Sequence, residues 1–353
     1  MSNFPEDEPL NAGADEQTQR PIEGTISAGA IAYPIPDTIS DPFDAAPAAA
    51  HRFPAQDVRA DDVPAGAAVA ELPMFHSVME PEPEPARIPH LGHFLLLLAL
   101  LVAGFIGAIL VMLIALHFHL FGISTLEATK TEIHYQLGSE GLGYLFTLGL
   151  CMVVFPLLWH KSFFAGVQWN GATAIRLRWR LVGAAIACLL LALLNSVVLP
   201  GPSHAPIEDI FRERDAAWLL FVFGSTFAPF FEEMFFRGFL LPALCTAYDW
   251  CAEKIYKTAR RPLGENGHPQ WSFPAMAIAA VVTSIPFAGM HAAQTGYSVG
   301  PFLLLLGVSI VLCTVRLWTR SLASSTLVHA SYNFMLFSIM LITSHGFRHL
   351  DKM

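Results

Sequence analysis

Charge is what this sequence has least of. Only 14% of its 353 residues are Asp, Glu, Lys or Arg, and 54% are hydrophobic, where a soluble domain carries about 25% charged residues. That scarcity excludes an ordinary water-soluble globule. Cysteine is sparse as well. Cys151, Cys188, Cys245, Cys251 and Cys313 are scattered, none forms a CxxC pair, and four lie in apolar runs. There is no disulfide framework to read, and the thiols are expected to act as small buried apolar groups. The first 40 residues lack a basic start followed by an apolar core, so no cleavable signal peptide is expected and insertion relies on later spans. No internal repeat is evident, which gives an inverted-repeat transporter little support.

Residues 1–89 are rich in Pro, Ala, Asp and Glu, have few large apolar side chains and end in the run "MEPEPEPARIP". Such a segment buries too little to offset the entropy of ordering, and its Glu-Pro repeat favours an extended local form. A disordered Pro/Ala/acidic tail is expected over 1–89, ahead of a membrane domain over 90–353. The charge divides at about the same place. Residues 1–87 hold 16 of the 29 acids and 4 of the 20 bases, net −12, and the remainder is net +3. The overall −9 therefore describes the tail, and nothing points to nucleic acid.

What is present instead is long apolar runs. Spans are expected at 94–116, 141–159, 181–199, 217–247, 273–291, 301–315 and 321–343. Most approach or exceed the roughly 18 residues that suggest a bilayer crossing. Backbone groups in lipid must be satisfied within the segment. The fold class is therefore all-α, a polytopic transmembrane bundle of about seven spans with a disordered N-terminal tail. Basic residues collect in 160–180 (Lys161, Arg176, Arg178, Arg180), in 248–272 (Lys254, Lys257, Arg260, Arg261) and at Arg316 and Arg320. The excess of such residues in cytoplasmic loops puts these segments and the N-terminus on the cytoplasmic side. The loops 117–140 and 200–216 then lie outside.

Three ionisable groups interrupt the fourth run. In "PFFEEMFFRGF", residues 229–239, Glu232, Glu233 and Arg237 sit among five phenylalanines, and the window 217–247 holds no other charge. One charge at the bilayer centre costs about 2.5–3.5 kcal/mol on insertion scales. Glu233 and Arg237 are four apart, share a helical face and can pair. Glu232 is rotated by about 100° and is left to point into the bundle. Two further polar pairs have the same spacing: Phe287 with His291 in the fifth run, and His329 with Asn333 in the seventh. One difficulty attends this layout. At about 1.5 Å per residue, His291 falls some 27 Å from the near end of its span, too deep to meet Glu232. Pro286, which interrupts that span, or different span boundaries would have to resolve it.

The order Glu-Glu-x-x-x-Arg, Phe-x-x-x-His, His-x-x-x-Asn, carried by Glu232, Glu233, Arg237, Phe287, His291, His329 and Asn333, resembles the CPBP family. That family comprises CAAX-type prenyl proteases and bacteriocin-processing intramembrane proteases. The resemblance covers about residues 180–343. It implies an intramembrane endopeptidase that hydrolyses a peptide bond near the cytoplasmic leaflet, in a multi-pass protein of a bacterial cell membrane. In that picture Glu232 and His291 act on the water, His329 and Asn333 stabilise the oxyanion, and Glu233 with Arg237 forms a supporting ion pair. The substrate class is a peptide or lipidated peptide, presented alongside membrane lipid.

Some readings stay open at this level. Glu232, His291 and His329 are a plausible ligand set for a divalent metal such as zinc, but the chain has no HExxH. The Glu-Arg pair and the His329–Asn333 pair also suit structural bonding between helices. The clustered phenylalanines suit packing or lipid contact, or the lining of a lipid groove. A non-enzymatic scaffold or immunity-type protein, and a proton-coupled transporter, are the functional rivals.

Overall fold

The computed structural model describes residues 86–347, apart from 124, 200–205, 207–213 and 265–266. The tail expected over 1–89 lies outside the described residues as far as 85, as does most of the loop 200–216. The described residues are mainly helical, and among them seven helices are long and apolar enough to cross a membrane. In chain order they are α1 (Leu91–His117), α3 (Ile133–Trp159), α5 (Gly171–Val198), α6 (Arg214–Tyr256), α7 (Phe273–Met290), α8 (Val299–Thr319) and α9 (Leu322–Thr343). Two short helices, α2 (Leu126–Thr131) and α4 (Phe163–Gly166), lead into α3 and follow it. This is an all-α, seven-span integral membrane bundle.

Helix boundaries follow local chemistry. Asn170, Ser272 and Ser321 each accept a hydrogen bond from an N–H in the first turn of the helix they precede, which satisfies one of its orphan donors. His160, Lys257 and Arg320 adopt left-handed backbone directly after α3, α6 and α8, a common way to end a helix.

α1 packs along α3, α9 along α5, and α7 along α8, and α6 runs among them. The α1–α3 approach depends on absent side chains. A Cβ at Gly104 would stand 2.3 Å from the Thr147 hydroxyl, and one at Gly143 would press on the Phe105 ring at 3.0 Å. Small residues at such crossings let backbones meet where lipid supplies no hydrophobic drive.

Three details differ from the sequence expectation. Pro286 does not interrupt α7, which continues through it to Met290. Arg176, Arg178 and Arg180 are not in a loop but in the first turns of α5. α6 is longer than the run 217–247, with 43 residues and a rise of about 64 Å. It is not uniform. π-helical turns at Phe223–Phe227 and Met234–Leu240 interrupt it on either side of the α-helical Ala228–Glu233. π-turns inside α-helices are often found at functional sites.

The longer α6 removes the depth problem. Asp249 accepts hydrogen bonds from the Ser272 backbone N–H at 2.9 Å and from its hydroxyl at 2.5 Å. The start of α7 is thereby held level with Asp249. From Asp249 back to Glu232, and from Ser272 on to His291, the rises are roughly 26 and 29 Å, so the two side chains arrive at one depth. α9 is set in the same way. Leu322 lies against Gly238, and Glu232 and His329 stand about 9 and about 10 Å from that contact.

Candidate active site

Glu233 and Arg237 form the ion pair that their spacing predicts. Arg237 Nη1 donates to Glu233 Oε1 at 2.8 Å, and both side chains are fully buried. A buried pair gains from further hydrogen bonds to its remaining polar atoms. Here part of them are served, Glu233 Oε2 and Arg237 Nε being left without a hydrogen-bond partner among the described residues. Arg237 Nη2 donates to the carbonyl and the hydroxyl of Ser309 on α8, at 3.1 and 2.7 Å. The guanidinium also lies 4.4 Å from the centre of the Phe287 ring, a cation–π contact. Phe287 in turn meets the rings of His291 and His329 at 5.2 and 5.8 Å. The phenylalanine of the second motif is thus the buried wall behind both imidazoles.

Glu232 points elsewhere, as the one-residue rotation requires. Its two carboxylate oxygens approach His291 Nε2 at 4.0 Å and His329 Nε2 at 3.7 Å. The opposite ring nitrogens fix what those Nε2 atoms can do. His291 Nδ1 lies 2.9 Å from the Phe287 carbonyl, which only accepts, so Nδ1 carries the hydrogen. His329 Nδ1 lies 3.1 Å from Glu233 Oε1 and donates by the same reasoning. In the neutral rings both Nε2 lone pairs therefore face the Glu232 carboxylate. Glu232 Oε2 is buried without a hydrogen-bond partner. Three acceptors converging on one spot favour a water, a proton or a cation between them.

A divalent metal meets that demand in kind, since carboxylate and imidazole are zinc ligands. The spacing is less suitable. Ligand atoms of a tetrahedral zinc site stand about 3.3 Å apart, whereas Glu232 is 3.7 and 4.0 Å from the imidazoles. Among the described residues no group of three or more His, Cys, Asp or Glu side chains forms a ready metal site. Glu232, His291 and His329 would have to draw together to make one.

A cavity of about 240 Å³ opens on Glu232. Its walls include Leu97 and Leu101 of α1, Tyr144 of α3, Phe231 and Phe235 of α6, and Met290. Tyr144 stacks on Phe231 at 4.7 Å and donates to Glu140 at 2.8 Å. The phenylalanines of α6 serve both purposes. Phe239 is fully buried packing, Phe231 and Phe236 are buried and also line the cavity, and Phe235 lines it while partly exposed. A larger cavity of about 670 Å³, bounded by Arg87, Trp250, Lys254 and Arg260, touches none of the motif residues.

Asn333 is engaged one turn beyond His329. Its amide Nδ2 donates to the Gly224 carbonyl at 2.8 Å. Sequence reasoning missed two residues here. Ser309 anchors Arg237, as described above. Arg316 is not the surface charge that its position near a turn suggests. It is 1% exposed, and donates to the Arg237 carbonyl at 3.2 Å and to Gln168 Oε1 at 2.7 Å. The available signal was their spacing of seven, which puts both on one face of α8.

The segment carrying this cluster, residues 214–335, matches the family of type II CAAX prenyl endopeptidases, Rce1-like. Residues 214–335 form a CAAX-protease-like domain. It begins with α6 and ends inside α9, so it contains all the motif residues named above. The CAAX-protease-like domain is about a third of the chain, and α1, α3 and α5 lie outside the match. No curated protein and no solved structure matches the chain.

Proposed function

We propose that the protein is an intramembrane endopeptidase, of the CAAX-processing or bacteriocin-processing type, with Glu232 as general base. The observation that carries this reading is the convergence of two oriented imidazoles on the half-buried carboxylate of Glu232. Glu232 in its ionised form takes a proton from a water while that water's oxygen attacks the scissile carbonyl carbon. His291, whose Nδ1–H is held by the Phe287 carbonyl, accepts a hydrogen bond at Nε2 and aims the water. His329 keeps its Nδ1–H on Glu233 and donates from Nε2 to the oxyanion when the proton that the converging acceptors favour sits on that nitrogen. The proton held by Glu232 then passes to the leaving amine as the C–N bond breaks.

Glu233 and Arg237 hold His329 in place. The apolar cavity suits an apolar side chain or lipid chain of a peptide substrate. The basic ends of α5 and α6 are consistent with cleavage near the cytoplasmic leaflet and a cytoplasmic N-terminus. A divalent ion, if used, would be held by Glu232, His291 and His329 and would polarise the water. The steps above do not require it.

The test is cleavage of a peptide library, including lipidated members, by purified protein in micelles, with and without chelator. Glu232→Gln should fold normally and cleave about 10²–10⁴-fold more slowly, the range for loss of a general base. Unchanged cleavage by this variant overturns the assignment. Proton flux in proteoliposomes that needs Glu232 and His291, with no cleavage, moves the reading to a transporter.

A further inference from the structure

α6 contains two prolines, Pro229 and Pro242, and each closely follows a π-turn. The hydrogen bonding of these turns leaves one carbonyl without a backbone donor at each site. In an α-helix the Gly224 carbonyl would receive the N–H of Ala228. Here that N–H is bonded to the Phe223 carbonyl. In continued π geometry the donor would be residue 229, and proline has no N–H. The second turn repeats the pattern. The Leu241 N–H is bonded to the Phe236 carbonyl, and the residue five beyond Arg237 is Pro242.

Both orphaned carbonyls lie inside the bundle, where each needs a partner from the protein. Each receives a side chain from another helix: Asn333 Nδ2 at 2.8 Å for Gly224, and Arg316 Nε at 3.2 Å for Arg237. Gly224 has no side chain to keep α9 away. A Cβ there would stand 2.8 Å from the Phe337 ring. A π-turn adds one residue to the helical register, which rotates everything beyond it by about 100°. Glu232 and Glu233 lie between the two turns, and Arg237 lies within the second.

We infer that Asn333 and Arg316 are positioning residues that cap these two proline-orphaned carbonyls, and that this pins the π-turns that aim Glu232 at His291 and His329. Asn333 then acts on the helix that carries the base, and the oxyanion is left to His329. The effect on rate rests on the proposed hydrolysis, whereas the capping does not.

The experiment supplies the missing N–H. Full-length Asn333→Ala, Pro229→Ala and the double variant are purified, and their thermal midpoints and kcat and KM for cleavage are measured. Arg316→Leu and Pro242→Ala form a second set. Asn333→Ala should lower the midpoint and cut kcat by about tenfold or more with KM nearly unchanged. Adding Pro229→Ala provides an N–H for Gly224 and should restore both to near the Pro229→Ala level. If the midpoint shifts are simply additive, the capping is overturned. If the midpoint recovers and kcat does not, Asn333 touches the reacting atoms and positioning is overturned. If Asn333→Ala does not fold, recovery of folding in the double variant supports the capping, and its failure overturns it. If the wild type cleaves nothing, the protease reading fails, and the midpoints alone decide the capping.

Discussion

The α1–α3 pair and the α6–α9 group share one membrane and are held together by different means. α1 contains no Asp, Glu, Lys or Arg, and it meets α3 through glycines that admit Thr147 and Phe105. Dispersion between close backbones is the main attraction available there. α6 instead buries a carboxylate, a guanidinium and two displaced helical turns, each served by a side chain from α8 or α9. The difference teaches that polarity inside lipid is tolerated where most of its groups are met from other helices. It also means that one lost partner harms α6–α9 in a way that α1–α3 cannot show.

Removing the guanidinium tests this most severely. Arg237→Met leaves Glu233 charged and buried without its main partner, and should destabilise by about 3–5 kcal/mol, measured by thermal or denaturant unfolding in micelles. Pairing it with Glu233→Gln should recover a large part of that loss. If the single variant is as stable as the wild type, the contrast between the two regions is wrong.

A smaller effect is expected on the other side. Gly104→Leu forces atoms into Thr147, and overpacking of this kind costs about 1–3 kcal/mol. Thr147 also lines the cavity beside Glu232, so a change in cleavage per folded molecule should appear in KM, with kcat nearly unchanged. A large drop in kcat would mean that the pair does more than pack.

The smallest effect lies outside the spans. His268, in the segment between α6 and α7, has its pKa lowered to about 4 by burial, with Lys161 and Arg316 adding to the shift. A histidine held neutral in the fold takes up its proton more readily when unfolded. The contribution is therefore present above the ordinary value near 6.5 and is lost as pH falls from there towards 4. His268→Asn should flatten the fall in thermal midpoint over that window. An unchanged slope would place the acid sensitivity elsewhere.

Much of this arrangement was legible in advance. The apolar runs of α1, α3 and α5 are long enough to announce themselves, and the four-residue spacings of Glu233–Arg237, Phe287–His291 and His329–Asn333 mark shared faces. The burial of the cysteines was legible for those in apolar runs: Cys151, Cys188, Cys245 and Cys313 are buried, whereas Cys251, near the polar end of α6, is exposed. Arg316 was not, because a charge near a turn reads the same whether it faces water or a carbonyl. Nor was the continuation of α6 to Tyr256, which crosses from an apolar run into a polar one without a breaker.

Taken alone, the sequence determined that this is a helical membrane protein with three polar faces on separate spans, because apolar length and helical period are local properties. Only the tertiary structure decided that those faces meet. That depended on Asp249 fixing the start of α7 and on two prolines whose missing N–H groups are answered from other helices. Bonds between residues far apart in the chain leave no periodic trace along it.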